Sequence, residues 1–282
     1  MDGAKTSPNS LFDRPTVRIR RDRAARVFAD FDFLLRRCEE DFLDRLATVH
    51  QARFSDRSLD VLVLGSHTGF AAGLGDRMGA ASVQLVQADA SAKMAGLARS
   101  ALFSPAVVAE EDWLPFRDES FDLILCPLTL HFANDLPGAL IQIRRALKPG
   151  GLFLSSLFGG ETLAELRQSL ANAEIEVEGG LSPRVIPFTD VKDYGALLQR
   201  AGYHEPVSDL DRVTVEYSSF ESLVRDLRGM GLPNPMTERR KEPMSRKTRA
   251  RAIDHYQEDH GGPDGLSTSF HLLYGTAWAP ES

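Results

Sequence analysis

The fold is decided by the stretch Leu59-Asp-Val-Leu-Val-Leu-Gly-Ser-His-Thr-Gly69. Its first six residues are mainly apolar β-formers, as in a strand that is covered on both faces of a sheet. Gly65 then permits the positive φ of a sharp turn, and Gly69 permits a close approach of backbone. Because an Ala- and Gly-rich segment follows at 70–78, the pattern predicts a strand, a ligand-binding turn and a helix.

Further predicted strands alternate with predicted helices along the chain. The strands are placed at 83–89, 106–109, 121–126, 151–156, 207–217 and 269–278, and the helices at 91–101, 134–147, 163–176, 191–202 and 220–230. This alternation predicts a Rossmann-like, doubly wound α/β fold with a mostly parallel seven-stranded sheet and an antiparallel edge strand. Ligands of such sheets bind beyond the carboxyl ends of the strands, so the residues after each strand are the candidates for a site.

The composition excludes several classes of protein. Of 282 residues, 43% are hydrophobic, and 33 Lys and Arg against 40 Asp and Glu give a net charge of −7. The apolar fraction excludes wholesale disorder, and the negative balance argues against broad nucleic-acid binding. Two cysteines, Cys38 and Cys126, are too few for a disulfide scaffold or a cysteine-rich metal site. Since no apolar run approaches about 20 residues, we expect a soluble intracellular protein without a membrane span.

Three regions are predicted. Residues 1–10 form a disordered tail, 11–58 a helical cap, and 59–282 the main domain, with helical insertions at 160–190 and 219–262. The cap contains an arginine-dense stretch from Arg14 to Arg26. Three interpretations of this stretch stay open: a mitochondrial transit peptide, a solvated helix face, or a patch that faces a substrate or partner.

One acidic residue ends the second predicted strand, and another follows the third. Asp89 can accept hydrogen bonds from both hydroxyls of a ribose, although it could instead cap the next helix in competition with Ser91. Glu110 can accept from the exocyclic amine of adenine, with Trp113 or Leu114 against the ring; the alternative is an acidic surface turn. Together with the glycine loop, these acids predict an adenosine site spread over three strand ends.

Several motifs resemble those of class I S-adenosylmethionine-dependent methyltransferases of the type-11 group. They are Leu64-Gly65, Asp89, Leu114-Pro-Phe116, Ser120-Phe-Asp-Leu123, Leu128–His131 and Leu147-Lys-Pro-Gly-Gly151. More narrowly, the chain resembles the mitochondrial complex I assembly factor 5 family, described as a protein-arginine hydroxylase, and its alphaproteobacterial relatives. The stretches that carry this resemblance include Leu128-Thr-Leu-His-Phe-Ala-Asn-Asp-Leu-Pro137, Phe158-Gly-Gly-Glu-Thr-Leu163 and Asp226-Leu-Arg-Gly-Met-Gly231. The core is also similar to the methyltransferase of biotin synthesis that esterifies a malonyl thioester.

The resemblance implies S-adenosylmethionine as the cofactor. The residues that we predict to bind it are Gly65, Ser66, His67, Gly69, Asp89, Ala90, Glu110, Glu111, Asp112, Trp113, Cys126 and Leu128. The implied acceptor is a protein or a small molecule, with a respiratory complex I subunit as one candidate. The implied location is the cytoplasm of a bacterium, or the mitochondrial matrix in a eukaryote.

One residue departs from the family pattern. The first loop of these methyltransferases typically reads Gly-Cys-Gly-x-Gly, whereas His67 stands here at the central glycine. A protonated imidazole would repel the sulfonium, and a neutral one could donate to the cofactor's carboxylate. The sequence therefore leaves open an enzyme that binds the cofactor and a non-catalytic assembly scaffold that has lost it. A nicotinamide oxidoreductase is disfavoured by the single glycine-rich half and the antiparallel closing strand.

No catalytic triad is expected for methyl transfer, because the in-line displacement depends mainly on orientation. His131, which follows the fourth strand, is the predicted base or substrate-orienting residue, and the alternative is a histidine packed beside Phe132 with a backbone partner. Hydroxylation would need an oxidant. Nothing in the sequence resembles the two-His-one-carboxylate site of iron oxygenases, and no metal site is predicted.

Overall fold

Two helices precede the sheet in the computed structural model, which describes residues 10–54, 57–70, 74 and 80–281, with only the backbone of 49–53. Helix α1 (Arg14–Ala24) is followed by a 3-10 turn (Phe28–Asp30) and by α2 (Phe33–Arg53). The side chain of Asp13 caps α1 by accepting from the Thr16 amide, and a proline occupies the first turn. The predicted helix at 70–78 falls mostly outside the described residues.

The remaining elements alternate as predicted. In chain order they are β1 (Ser58–Leu64), β2 (Ser82–Asp89), α3 (Ala92–Leu102), β3 (Ala106–Val108), β4 (Phe121–Cys126), a 3-10 turn (Leu130–Phe132), α4 (Leu136–Ala146), β5 (Leu147–Phe158), α5 (Ala164–Glu178), α6 (Val191–Arg200), β6 (His204–Tyr217), α7 (Phe220–Gly229), α8 (Arg246–His260), β7 (Gly261–Gly262) and β8 (Gly265–Trp278). No helix in the described part of the chain has the length and apolar character needed to cross a lipid bilayer.

The sheet has the predicted doubly wound topology. Its strand order is β3-β2-β1-β4-β5-β8-β6, and the first five strands in this order run parallel. Strand β8 is antiparallel to both β5 and β6, which confirms the antiparallel hairpin at one edge. The described sheet has eight strands rather than seven because the two residues of β7 also pair with β8.

Alternate residues of the central strands pack into two separate hydrophobic cores. Val61 and Leu123 face one core, which is covered mainly by α2, α5, α7 and α8. Leu62 and Ile124 face the other, which is covered by α4 and α6. Burial on both faces explains why these strands read as continuous apolar runs.

The boundary between α4 and β5 differs from the prediction. Strand β5 begins at Leu147, which pairs with Phe121, whereas the sequence predicted a helix to 147 and a strand from Gly151. Pro149 cannot continue a helix, and Gly150 takes a φ of +70°, so the chain passes directly from helix to irregular strand. The register shift between Phe121 and Leu123 accommodates this irregularity.

Candidate functional site

The loop after β1 has the sharp geometry that its glycines predict. Gly65 has a φ of +81°, and a Cβ there would lie 2.7 Å from the Cβ of Thr129, in the segment after β4. Gly69 has a φ of +119°, and a Cβ there would lie 2.9 Å from the Cβ of Ala101 on α3. Both positions therefore require glycine, because conformation and space each exclude a side chain.

Asp89 lies at the carboxyl end of β2 and is the acid nearest this loop. Its carboxylate accepts from the backbone amide of His67 at 3.1 Å and from that of Ser91 at 2.8 Å. Ser91, not Asp89, caps α3, since the Ser91 hydroxyl accepts from the Met94 amide. The side chain of Asp89 is therefore left to present its oxygens to another group, although only 1% of the residue is exposed.

That group is Arg21 of α1. Its Nη2 donates to Oδ2 of Asp89 at 2.7 Å, and its Nε donates to Oδ1 at 3.3 Å. Only 2% of Arg21 is exposed, so the ion pair is isolated from solvent. The planar guanidinium presents two N–H groups to the two oxygens of one carboxylate. The two neighbouring hydroxyls of a ribose would offer the same pair of donors to Asp89.

His67 is a neutral histidine fixed between α1 and the segment after β4. Its Nε2 lies 3.1 Å from the carbonyl oxygen of Pro127, so this nitrogen carries the proton, and Nδ1 is free to accept from Arg21 Nη2 at 3.4 Å. Burial, with a smaller contribution from Arg21, lowers the pKa of His67 to about 3. The ring stacks on Phe28 with centroids 5.1 Å apart. The neutral form considered from the sequence is therefore present at pH 7, with its proton used by Pro127.

The acids after β3 are also paired with α1. Glu111 is buried. Its carboxylate forms an ion pair with Arg14 and accepts a hydrogen bond from the Thr129 hydroxyl. Arg14 Nη1 also donates to the Phe132 carbonyl oxygen at 2.8 Å. Burial alone would raise the pKa of Glu111, but Arg14 and Thr129 hold it below its usual value. Glu110 is more exposed and pairs with Arg14 at 3.4 Å and with Arg18 at 3.3 Å.

Three arginines of α1 face this chain's own acids. Positions 14, 18 and 21 recur every three or four residues, so they share one side of the helix, and that side covers the acids at the ends of β2 and β3. Arg14 and Arg21 are buried. None of the three interpretations anticipated this contact, whereas Arg23 and Arg26 are exposed, as in a solvated face.

Not every predicted cofactor residue lies in this cluster. Trp113 is 78% exposed, and Asp112 accepts from the backbone amides of Asn134 and Asp135 at 3.1 and 3.0 Å. Cys126 belongs to the core that α4 covers, and burial raises the pKa of its thiol well above the usual value. Ala90 and Ser66 are buried beside Asp89 and His67 in the chain, and Ser66 Oγ has no hydrogen-bond partner in the described part of the molecule.

The space beside His67 is too small for a nucleoside. The cavity lined by Arg21, Phe28, His67 and Leu128 has a volume of about 20 Å³, enough for about one water molecule. The residues at the strand ends suit an adenosine, since Asp89 offers two oxygens at the carboxyl end of β2. The position of α1 does not suit it. S-adenosylmethionine fits this site only if α1 and the Phe28 turn move away.

Comparison with known proteins identifies the family. A family model described as a methyltransferase domain matches residues 62–155. The arginine-hydroxylase NDUFAF5, mitochondrial, of Danio rerio is 37% identical over 277 residues, which cover 96% of this chain and 84% of that protein. The chain belongs to the NDUFAF5 family. The human NDUFAF5 is 44% identical over 174 residues, which span about half of its own length (50%).

The chain is also similar to a protein named as a methyltransferase. A malonyl-[acyl-carrier protein] O-methyltransferase of Xylella fastidiosa is 32% identical over 97% of this chain and 90% of that protein. Among solved structures, the YcgJ protein of Bacillus subtilis aligns with a TM-score of 0.55 at 17% identity, over 84% of this chain and 98% of that one. That structural likeness supports the fold alone. Together, these relatives confirm the methyltransferase-type fold expected from the motifs.

His131 of this NDUFAF5-family chain lies in an aromatic cluster. Its ring centroid is 4.3 Å from that of Phe132, 4.9 Å from that of Phe158 and 6.3 Å from that of Phe188. Neither imidazole nitrogen has a hydrogen-bond partner among the described residues. Burial lowers the pKa of His131 to about 3, which makes it a weak base at neutral pH in this conformation. Its packing beside Phe132 matches the alternative prediction, but without the backbone partner.

Four residues of the site were not predicted from the sequence as its members: Arg14, Arg21, Phe28 and Thr129. The sequence contains an indication for the arginines, because the stretch 14–26 has arginines at helical spacing and the chain also has an acidic cluster at 110–112. The sequence does not show that the arginines and the acids are in contact. Within the described ranges, no three His, Cys, Asp or Glu side chains come together in a way that would hold a metal ion.

Proposed function

We propose that this protein is an S-adenosylmethionine-dependent enzyme whose nucleoside site is closed by α1 and opens when α1 moves. The observation that supports the proposal is the bond from Arg21 to both oxygens of Asp89. A carboxylate at the end of β2 that accepts two hydrogen bonds from a bidentate donor is also oriented to accept hydrogen bonds from the two hydroxyls of a ribose. The methyltransferase domain shared with relatives makes S-adenosylmethionine the expected ligand.

In the open state, this chain's residues would divide the work as follows. Asp89 would accept from the ribose hydroxyls, and the more exposed Glu110 would be available to the adenine amine. The cofactor supplies an electrophilic methyl group when bound. Because such a transfer depends mainly on orientation, the role of the surrounding residues is to hold donor and acceptor in line and to exclude water. No residue needs to form a covalent intermediate.

The biological role that we propose follows the NDUFAF5 relatives, namely modification of an acceptor during respiratory complex assembly. A respiratory complex I subunit is one such acceptor. The corresponding location is the cytoplasm in a bacterium, or the mitochondrial matrix in a eukaryote. The name of the zebrafish relative states that that protein is mitochondrial.

A direct binding measurement tests the proposal. S-adenosylhomocysteine is titrated by calorimetry into Arg21→Met, into the double variant Arg21→Met/Asp89→Asn and into the control Arg21→Met/Asp118→Asn, which changes an exposed acid paired with Arg145. The Arg21→Met background is used because Asp89→Asn alone would also break the ion pair that closes the site. We expect at least about tenfold weaker binding for Arg21→Met/Asp89→Asn than for Arg21→Met, and no change for the control. Equal affinity in the folded variants would contradict the ribose assignment.

A second candidate function is a scaffold without a cofactor. The observation in its favour is that His67, Phe28 and Arg21 fill the cleft. If neither the wild type nor Arg21→Ala bound S-adenosylmethionine or S-adenosylhomocysteine, and His67→Gly restored binding, the scaffold would be the better description.

A further inference from the structure

A second, larger cavity adjoins the small cavity beside His67. Phe158 and Leu232 line both cavities. Its volume is about 390 Å³, within the range of small-molecule sites. We call it the arginine-rimmed cavity. Its lining comes mainly from α1, α5, α7, α8 and the loops between them, and it includes six arginines: Arg20, Arg184, Arg228, Arg239, Arg240 and Arg249.

The charge of this lining is of one sign. Six arginines and no acidic residue line the cavity within the described part of the chain, although the whole protein carries a net charge of −7. Four of the six are paired with acids outside the lining; the pairs are Arg184–Glu174, Arg239–Asp13, Arg240–Glu178 and Arg249–Glu221. Those four charges are balanced locally.

The other two arginines, Arg20 and Arg228, have no carboxylate partner among the residues that the structure describes. Arg20 donates to the carbonyl oxygen of Asn234. Burial lowers the pKa of Arg20, the like charges of Arg239 and Arg23 lower it further, and Asp13 opposes them. Arg20 is half-buried and Arg228 is exposed, so an anion in the cavity would find two guanidinium groups that no carboxylate of the described residues occupies.

The rest of the cavity wall is apolar. Leu166 and Leu170 of α5, Phe220 and Leu227 of α7, and Ile186 of the loop before α6 contribute carbon surface. The polar groups among the remaining lining residues are few, as in pockets that hold an apolar body and fix one polar end.

We propose that the arginine-rimmed cavity binds an anionic amphiphile, a small molecule with an apolar body and one carboxylate or phosphate group. The apolar wall takes the body, and Arg20 and Arg228 take the anion. Because the cavity shares Phe158 and Leu232 with the small cavity beside His67, its ligand would lie next to the proposed nucleoside site without being the acceptor of the proposed reaction. A cationic ligand would meet like charge at the rim.

The experiment measures binding of defined probes to the full chain without cofactor. Dodecanoate and dodecyl phosphate, below their micelle concentrations, are titrated by calorimetry, with dodecyltrimethylammonium as the probe of equal chain length and opposite charge. Both anions should bind and the cation should not. Phosphatidylglycerol vesicles form a separate arm, and binding to the vesicles without binding to either free anion would overturn the proposal.

Two variants locate the binding site. Arg228→Gln removes an unpartnered charge and should weaken dodecanoate about tenfold, because a hydrogen bond to a charged group is lost. Arg145→Gln, an exposed arginine on α4 paired with Asp118, is the matched control and should change nothing. Val224→Trp fills the cavity and should also weaken dodecanoate, with folding checked by thermal denaturation.

The outcomes separate this inference from the proposed function. Dodecanoate binding that depends on Arg228, in a protein that does not bind S-adenosylhomocysteine, would support the cavity and contradict the enzyme. Binding of S-adenosylhomocysteine without binding of either anionic probe would overturn the cavity alone. Equal binding of the cationic probe, or equal affinity in Arg228→Gln and Val224→Trp, would also overturn it.

Discussion

Replacing Arg21 by alanine tests whether α1 closes the nucleoside site, and the structure sets the size of the effect on stability. The guanidinium and the Asp89 carboxylate are both buried, so the variant leaves one buried charge without its ionic partner. Breaking such a pair costs about 3–5 kcal/mol. Asp89 keeps two backbone donors, from His67 and Ser91, so we expect the lower end of that range, about 3 kcal/mol of unfolding free energy.

The same change should strengthen nucleoside binding. If the ion pair of Arg21 with Asp89 holds α1 closed, the fraction of open molecules limits the apparent affinity. If the closed state is destabilised by about 3 kcal/mol relative to the open state, the ratio of open to closed molecules rises about 100-fold. The affinity for S-adenosylhomocysteine should therefore rise by up to about 100-fold. Stability is measured by urea unfolding, and affinity by calorimetry on the same preparations.

The control is Arg145→Ala, which breaks a pair between two exposed side chains, Arg145 of α4 and Asp118. Exposed pairs contribute little, so both quantities should stay within about 0.5 kcal/mol of the wild type. A folded Arg21→Ala variant that bound S-adenosylhomocysteine no better than the wild type would refute the competition between α1 and the nucleoside. An unchanged unfolding free energy would refute the energetic role of the ion pair.

Three further predictions concern single residues. Gly65→Ala should destabilise the fold by about 2–4 kcal/mol in urea unfolding because its φ is positive and Thr129 is in the way, whereas Gly96→Ala, where nothing lies within 4 Å, should not destabilise it. Trp113→Ala should leave stability within about 0.5 kcal/mol, since the side chain is exposed. Burial lowers the pKa of His131 to about 3, so below pH 6.5 the unfolded chain binds a proton that the folded chain does not, and stability falls as pH falls. His131→Phe should therefore lose about 2 kcal/mol less unfolding free energy than the wild type between pH 7 and pH 5.

The sequence predicted the sheet well because its signals are local. Apolar runs such as 59–64 and 121–126 mark strands that are buried on both faces, and turn residues separate them from the helices. The predicted start of β5 was wrong for a physical reason. Pro149 and the two glycines after it normally end a helix, and no local feature of the sequence shows that Leu147 pairs with Phe121. Such pairing depends on the neighbouring strand.

The candidate site was predictable only in part. Gly65, His67 and Asp89 were predicted because each lies at or just after the carboxyl end of a strand, and the structure brings them together. The closure by α1 was not predictable, because it depends on a contact between residues 68 positions apart, Arg21 and Asp89. Helical spacing shows which arginines share a face, but it does not show what that face meets.

The position of α1 also connects the two cavities. Arg21 closes the nucleoside site, and its neighbour Arg20 lines the arginine-rimmed cavity. If α1 moves to admit a nucleoside, Arg20 leaves its place beside Asn234, and the cavity loses one of its two unpaired cations. The nucleoside should then weaken the binding of an anionic amphiphile, and linkage requires that the amphiphile weaken nucleoside binding by the same factor. Titration of each ligand in the presence of the other measures both factors, and their equality checks the measurement. No effect in either direction would show that α1 does not join the two sites.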